Sequence, residues 1–384
     1  MPDSGRSNEI PGEAIRLFLC GDVMLGRGID QILPQPSRPE LFEPYVSDAR
    51  DYVALAEAVS GPLPRAVDFD YVWGDALVEL ARRAPELRLI NLETSITASE
   101  DYWPGKGINY RLHPANLPVL SAAGIDCCAL ANNHVLDWGY AGLRETLASL
   151  EAAGIAAVGA GEDDTAAERP AVFELAAGRR VLVFACGDES SGIPPDWAAG
   201  PAQPGVALLA DLSVASAERL GQRIAAIKRP GDVVVVSIHW GSNWGYQVPA
   251  SQRSFAHALI DRAGVDLVHG HSSHHPRPIE VYRGRLILYG CGDFLNDYEG
   301  IAGYEAFRGD LGLMYFAALA PTDGRLLALS MCPMQIRRFR AQRPSPKDIT
   351  WLDGLLRRVS EPFGTATAAA PDHSLTLRWR ESAA

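Results

Sequence analysis

Short apolar runs alternate with stretches of helical period along most of this chain, and a chain so patterned buries both kinds of element by stacking them as a layered α/β protein. Ile15 to Cys20, Leu87 to Asn91, Ile125 to Leu130 and Ile155 to Val158 read as strands, with helices expected at Trp73 to Arg83, Pro114 to Ala123 and Tyr140 to Ala153. A hairpin is expected over Val172 to Ala185, then a helix at Val214 to Ile227, a strand at Val233 to Ile238, a helix at Ser251 to Ala263 and a strand at Asp266 to His269. Two more hairpins follow near Ile279 to Tyr289 and Leu311 to Met331, the second turning at Thr322-Asp323-Gly324. No linker divides the 384 residues. The organisation expected is a flexible N-terminus over 1–14, one domain over 15–342, and a tail over 343–384 whose helix, Ile349 to Val359, and edge strand, Leu375 to Trp379, pack on that domain.

The formal net charge of −12 disfavours a grip on nucleic acid, which depends on Lys and Arg. Runs such as Val233 to Ile238 are too short to cross a bilayer, and the polar start lacks the order of a signal peptide, so the expectation is a cytoplasmic protein with no membrane partner. The six cysteines lack CxxC spacing and sit in apolar runs, which reads as buried free thiols.

Chemistry-bearing residues cluster just beyond the strands, where open α/β sheets line their ligand crevices. Asp22 follows the first strand in Cys20-Gly-Asp-Val-Met-Leu-Gly-Arg-Gly28, and Glu93 follows the second in Asn91-Leu-Glu-Thr-Ser95. Either carboxylate alone could simply cap a helix. Ala131-Asn-Asn-His-Val-Leu-Asp-Trp-Gly139 is harder to dismiss: Asn132 or Asn133 can offer an amide oxygen to a hard cation, His134 can move a proton near neutral pH, and Asp137 can orient that imidazole or cap the next helix. His239 stands at the mouth of the most apolar strand, and His269-Gly-His-Ser-Ser-His-His-Pro276 holds four of the nine histidines. Asp293 lies in another glycine-rich strand end. The mixed set Asp22, Glu93, Asn133, His239, His271 and His274 suits one or two divalent ions such as Ca, Mg, Mn or Zn, with no organic cofactor.

The ordered motifs GDVMLGRG, NLETS, ANNHVLDWG, HWG, GHSSH and GDF resemble the CapA family, named for poly-γ-glutamate capsule synthesis, from about Ile15 to Phe363. That family is similar to the calcineurin-like metallophosphoesterases, so the resemblance implies a four-layer α/β/β/α sandwich with its site at one edge of two facing sheets. It also implies that Asp22, Glu93, Asn133, His239, His271 and His274 hold metal, and that His134 is a general acid. Met24 stands where phosphoesterases carry a histidine, Glu93 where they use aspartate, Asp293 where many CapA relatives have asparagine, and Asn243 where many have glutamate. More carboxylate and fewer imidazoles oppose a phosphate dianion.

With no membrane anchor expected, the chain is also similar to the lasso-peptide epimerase type. That likeness implies inversion of a Cα in a peptide substrate, at an aromatic residue near a terminus, by two-base catalysis. His134 and a histidine of the cluster, His271 or His274, would face the two sides of Cα, oriented by Asp137 and Asp293. Arg27 and Arg111 are candidate carboxylate clamps, and Trp240, Trp244 and Tyr246 candidate walls of an aromatic pocket, although a place in the core is the plainer expectation for each ring. The alternatives are a metal-dependent hydrolase or transferase of γ-glutamyl or phosphate ester bonds, and a non-catalytic polymer-binding subunit.

Overall fold

A computed structural model describes residues 13–380. The larger sheet is built around Ile15–Val23, which pairs in parallel with Leu87–Leu92 and through it with Cys127–Ala129 and Ala156–Val158. On its other side the chain turns antiparallel: Leu311–Leu319, Leu326–Arg337, Leu375–Trp379 and Thr365–Ala369 follow in that order. The second sheet runs Ile279–Tyr282, Arg285–Leu288, Leu267–His271, Val233–His239, Arg180–Gly187, Ala171–Glu174, its four middle strands parallel.

The period of two along each strand sorts its side chains between apolar clusters. Leu17 and Leu19 join Val181, Val183, Val233, Val235 and Leu267 in one cluster, shared by the two sheets. Phe18 and Cys20 point the other way, into a cluster with Ala76, Leu80 and Leu143 from the helices Ala76–Arg83 and Gly139–Ala152. Val234 and Val236 meet Leu220 of the helix Val214–Ile227 and Phe255 and Leu259 of the helix Ala250–Asp261. The protein is therefore a mixed α/β protein with two large sheets, consistent with the fold class that the CapA-like resemblance implies.

Several expectations shift. The segment Pro114 to Ala123 splits into a 3-10 turn, Pro114–Asn116, and a short helix, Pro118–Ala122, because Pro118 has no N–H to continue a helix begun before it. A further helix, Arg50–Ser60, lies outside the expected elements. Leu375–Trp379 is not the edge strand of its sheet: Thr365–Ala369 lies outside it, a run too poor in bulky β-formers to stand out. The tail helix begins earlier, at Pro346, with the Ser345 side chain accepting from the Asp348 N–H as its cap. Residues 1–12 of the expected flexible N-terminus, and 381–384 of the tail, lie outside the described residues, and Ala14 is buried. All six cysteines are buried and unpaired. Among the described residues no helix is long and apolar enough to cross a membrane.

The parallel strands end together. Asp22 is in register with Asn91 on one side and Asp293 on the other, and His239 with His271 in the second sheet. Gly21 makes the approach of Asp22 to Asp293 possible: a Cβ there would sit 1.7 Å from the Gly292 carbonyl oxygen.

Candidate metal centre

Asp22, at the carboxyl end of Ile15–Val23, is fully buried. Its Oδ1 accepts from Asn91 Nδ2 at 2.8 Å and its Oδ2 from the Ser272 N–H at 3.2 Å. Two sets of donors converge on it. Asp22, His239 and His271 bring ligand atoms within 4.8 Å of one another, and so do Asp22, His274 and Asp293. The first set joins the two sheets; the second joins Asp22 to the loop after Leu267–His271 and to the strand Asp293–Leu295.

Glu93 and Asn133 stand beside these sets. Glu93 Oε1 is 3.7 Å from His134 Nε2 and 3.9 Å from His239 Nε2, while Asn133 Oδ1 lies 3.0 Å from His239 Nε2. His239 Nδ1 and His271 Nδ1 are 2.8 Å apart, and His271 Nε2 meets Ser237 Oγ at 2.9 Å. His274 Nδ1 faces Asp293 Oδ1 at 2.8 Å, and its Nε2 meets Asn243 Nδ2 at 2.9 Å. His269 is spent elsewhere: its Nε2 donates to the Cys20 carbonyl and its Nδ1 meets Ser237 Oγ.

His134 forms a separate unit. Its Nδ1 is 2.7 Å from Asp137 Oδ2, which also accepts the Tyr110 N–H, and Lys106 Nζ lies 3.2 Å from Asp137 Oδ1. The bond to Asp137 assigns the neutral ring's proton to Nδ1, leaving the Nε2 lone pair on the Glu93 side.

Electrostatics follow from crowding like charges out of water. Burial pushes the Asp22 carboxyl up to about 7, with the Asp293 charge adding to it. Burial raises Glu93 well above the carboxylate range, reinforced by Asp22 and Asp293. Burial lowers His134 to about 4 and pulls His239 and His271 well down. At His274 burial acts downward, but the charge and hydrogen bond of Asp293 outweigh it and the imidazole is raised. Buried carboxylate oxygens with two imidazoles in one set, and one imidazole with two carboxylates in the other, form a donor set that fits a hard or borderline divalent cation.

The remaining candidates divide. Trp244 lines a cleft beside His274, its ring 5.3 Å from that imidazole, and Tyr246 packs on His275 at 4.5 Å. Trp240 is core: fully buried, it stacks on Tyr289 and donates from Nε1 to the Tyr289 carbonyl, which leaves no face for a substrate. Arg111 donates to the Ser99 and Arg38 carbonyls and lies 3.8 Å over Trp138, so its guanidinium is not a free clamp. Arg27 lines the cleft, but it is buried between Asp297 and Glu43 and stacked on Tyr52, its charge already matched.

Sequence reasoning missed Asn91, whose Nδ2 reaches Asp22 and Glu93 while its Oδ1 accepts from Asn132 Nδ2 at 3.0 Å. An amide closing the strand-like run Leu87-Arg-Leu-Ile90 was the available signal. Lys106 gave none, since it comes from a polar loop far from any strand end.

The family model described as bacterial capsule synthesis protein PGA_cap matches residues 16–298. A Mycobacterium tuberculosis protein named "Probable polyglutamine synthesis accessory protein" is 50% identical over 366 residues, covering 95% of this chain and 96% of that protein. The chain is also similar to the Bacillus subtilis PGA biosynthesis protein CapA, 28% identical over 74% of this chain and 64% of that protein. The capsule biosynthesis protein CapA of Bacillus anthracis is 25% identical over 88% of this chain and 70% of its own length.

Proposed function

The chain belongs to the PGA_cap family of bacterial capsule synthesis proteins, and from that premise we propose that it is a metal-dependent hydrolase or transferase of γ-glutamyl-type amide bonds, serving the synthesis of a glutamate or glutamine polymer. One observation carries the chemistry: Asp22 is common to two sets of cation donors, and the His134–Asp137 pair belongs to neither but reaches the first through Glu93, whose Oε1 lies 3.7 Å from His134 Nε2 and 3.9 Å from His239 Nε2. The polymer is suggested by the names of the relatives.

Asp22, His239 and His271 would hold one divalent cation, and Asp22, His274 and Asp293 a second. Such a cation, when bound, supplies positive charge toward the oxygen of a polarised acyl group. The chain's own residues supply the proton traffic. With its imidazole lowered to about 4, His134 is neutral at pH 7, and its Nε2 lone pair can take the proton of an attacking water or amine. Asp137 holds the tautomer and balances the imidazolium that results; the proton then passes to the departing amine. Asn91 and Asn132 fix Asp22 and Glu93, so these carboxylates need not reorganise.

A second reading, Cα epimerisation of a peptide, draws on a different observation: two imidazole–carboxylate pairs, His134–Asp137 and His274–Asp293, are held on separate segments. It requires His274 to be free to act as a base, which its place among the donors opposes. Supporting the four-layer α/β/β/α arrangement are the apolar cluster shared by the two sheets and the helix-bearing clusters on the other faces. A cytoplasmic location and a peptide-like substrate remain parts of the same proposal. The test is incubation of oligo-γ-glutamate or glutamine peptides with the protein and Mn²⁺ in D₂O, read by mass spectrometry. Shortened or transferred chains support the amide reading; gain of one deuterium without cleavage replaces it with epimerisation.

A further inference from the structure

A cleft of ≈ 930 Å³ opens beside His274, with residues of the helix Arg50–Ser60 and of the segment 298–310 in its walls. This is at the upper end of the size range of small-molecule sites. Of the twelve large apolar side chains exposed among the described residues, six line it: Tyr45, Leu55, Val59, Ile108, Ile301 and Tyr304. Exposed apolar groups scattered singly are ordinary, whereas half of them around one cleft make a patch that a ligand relieves of water. The apolar wall reaches the centre itself. Trp244 stacks on Tyr304 with ring centroids 4.1 Å apart, and on its other neighbour lies 5.3 Å from the His274 ring.

Charge completes the argument. The cleft is lined by Arg27, Arg308 and Arg337 against Glu299, Glu305 and Asp310, so its arginines are matched by an equal number of carboxylates. Arg27 is neutralised by Asp297 and Glu43, and Arg308 by Asp310 and Asp348. A polyanion would find little attraction here.

We propose that this cleft is a substrate subsite for a bulky, uncharged apolar group attached within reach of His274. The inference rests on reading the adjoining centre as the reacting one, and it assigns the substrate an apolar terminus or carrier in addition to any charged repeat.

The test compares binding of γ-glutamyl-1-naphthylamide and γ-glutamylglutamate to the full chain with Mn²⁺ present, by naphthyl fluorescence and competition. The naphthylamide is expected to bind about tenfold more tightly, equivalent to about 1.4 kcal/mol. Leu55→Asp and Ile301→Asp, at positions 37% and 46% exposed and so outside the core, are expected to remove that advantage. Equal binding of the two probes, or a preference that survives both substitutions, overturns the subsite. Preferential binding without cleavage supports the subsite and counts against the amide reading. Cleavage of both probes with no preference in binding overturns the subsite and leaves the amide reading intact.

Discussion

Asp22 and Asp293 are register partners in neighbouring parallel strands, and both carboxylates, buried, share one set of ligand atoms with His274. Two acids so placed repel each other unless a cation comes between them. Divalent cation is therefore expected to stabilise the protein, by about 2.7 kcal/mol at a hundredfold excess over Kd. Asp293→Asn should shrink that gain without lowering cation-free stability, as read by thermal melts with chelator and with Mn²⁺. Melts of the wild type that ignore the cation would end the metal assignment.

His134 stands outside the donor sets, so binding of the cation and movement of the proton are separable. His134→Gln is expected to slow turnover roughly 100- to 10,000-fold while the cation-induced rise in Tm persists. Steady-state rates alongside melts decide it: a variant with wild-type turnover removes His134 from the reaction.

Far from the centre, the buried Glu79 accepts from Arg82, Arg83 and Arg343, and although burial acts upward on its carboxyl, the arginine hydrogen bonds carry it below the usual value. A lowered folded value means that the stabilisation is complete above the ordinary glutamate range near 4.3 and fades as pH falls through the folded value. With partly exposed arginines, Glu79→Gln should cost about 1–2 kcal/mol at neutral pH. Urea melts across the acid range should show the gap between variant and wild type closing; a gap that widens on acidification contradicts the ion-pair origin.

Trp240 and Trp244 differ by four positions and by environment, one in the core and the other beside His274. Trp240→Ala is expected to cost about 3–5 kcal/mol in denaturant melts through the cavity it leaves. Trp244→Ala should leave most of the stability and weaken substrate or probe binding instead. The opposite pattern would reverse the two assignments.

Much of the architecture was legible because its signals are local. The helix Val214–Ile227 and the strand Leu375–Trp379 fall where periodicity puts them. Thr365–Ala369 escaped because small residues pack there against the neighbouring strand and the tail helix rather than announcing a core face. Within the centre, Asp22 and His239 could be picked out as polar residues ending apolar runs, His271 and His274 by the density of histidines, and Asp293 by its glycine-rich strand end, yet nothing local distinguished His271 as a donor from His269, whose ring is spent on Cys20 and Ser237.

The sequence by itself determined the period of each element, the position of each polar residue at a strand end, and the order in which those ends occur, since these depend on neighbours two to four residues away. The tertiary structure alone decided which ends share a point and which charges are matched internally. Asn133 meets His239 across 106 positions, and Arg27 meets Asp297 across 270. A buried polar group must find its partner in space. Strand order therefore made Asp22 the common member of two donor sets and turned Arg27, which reads in sequence as a clamp for substrate, into the buried counterion of Asp297 and Glu43.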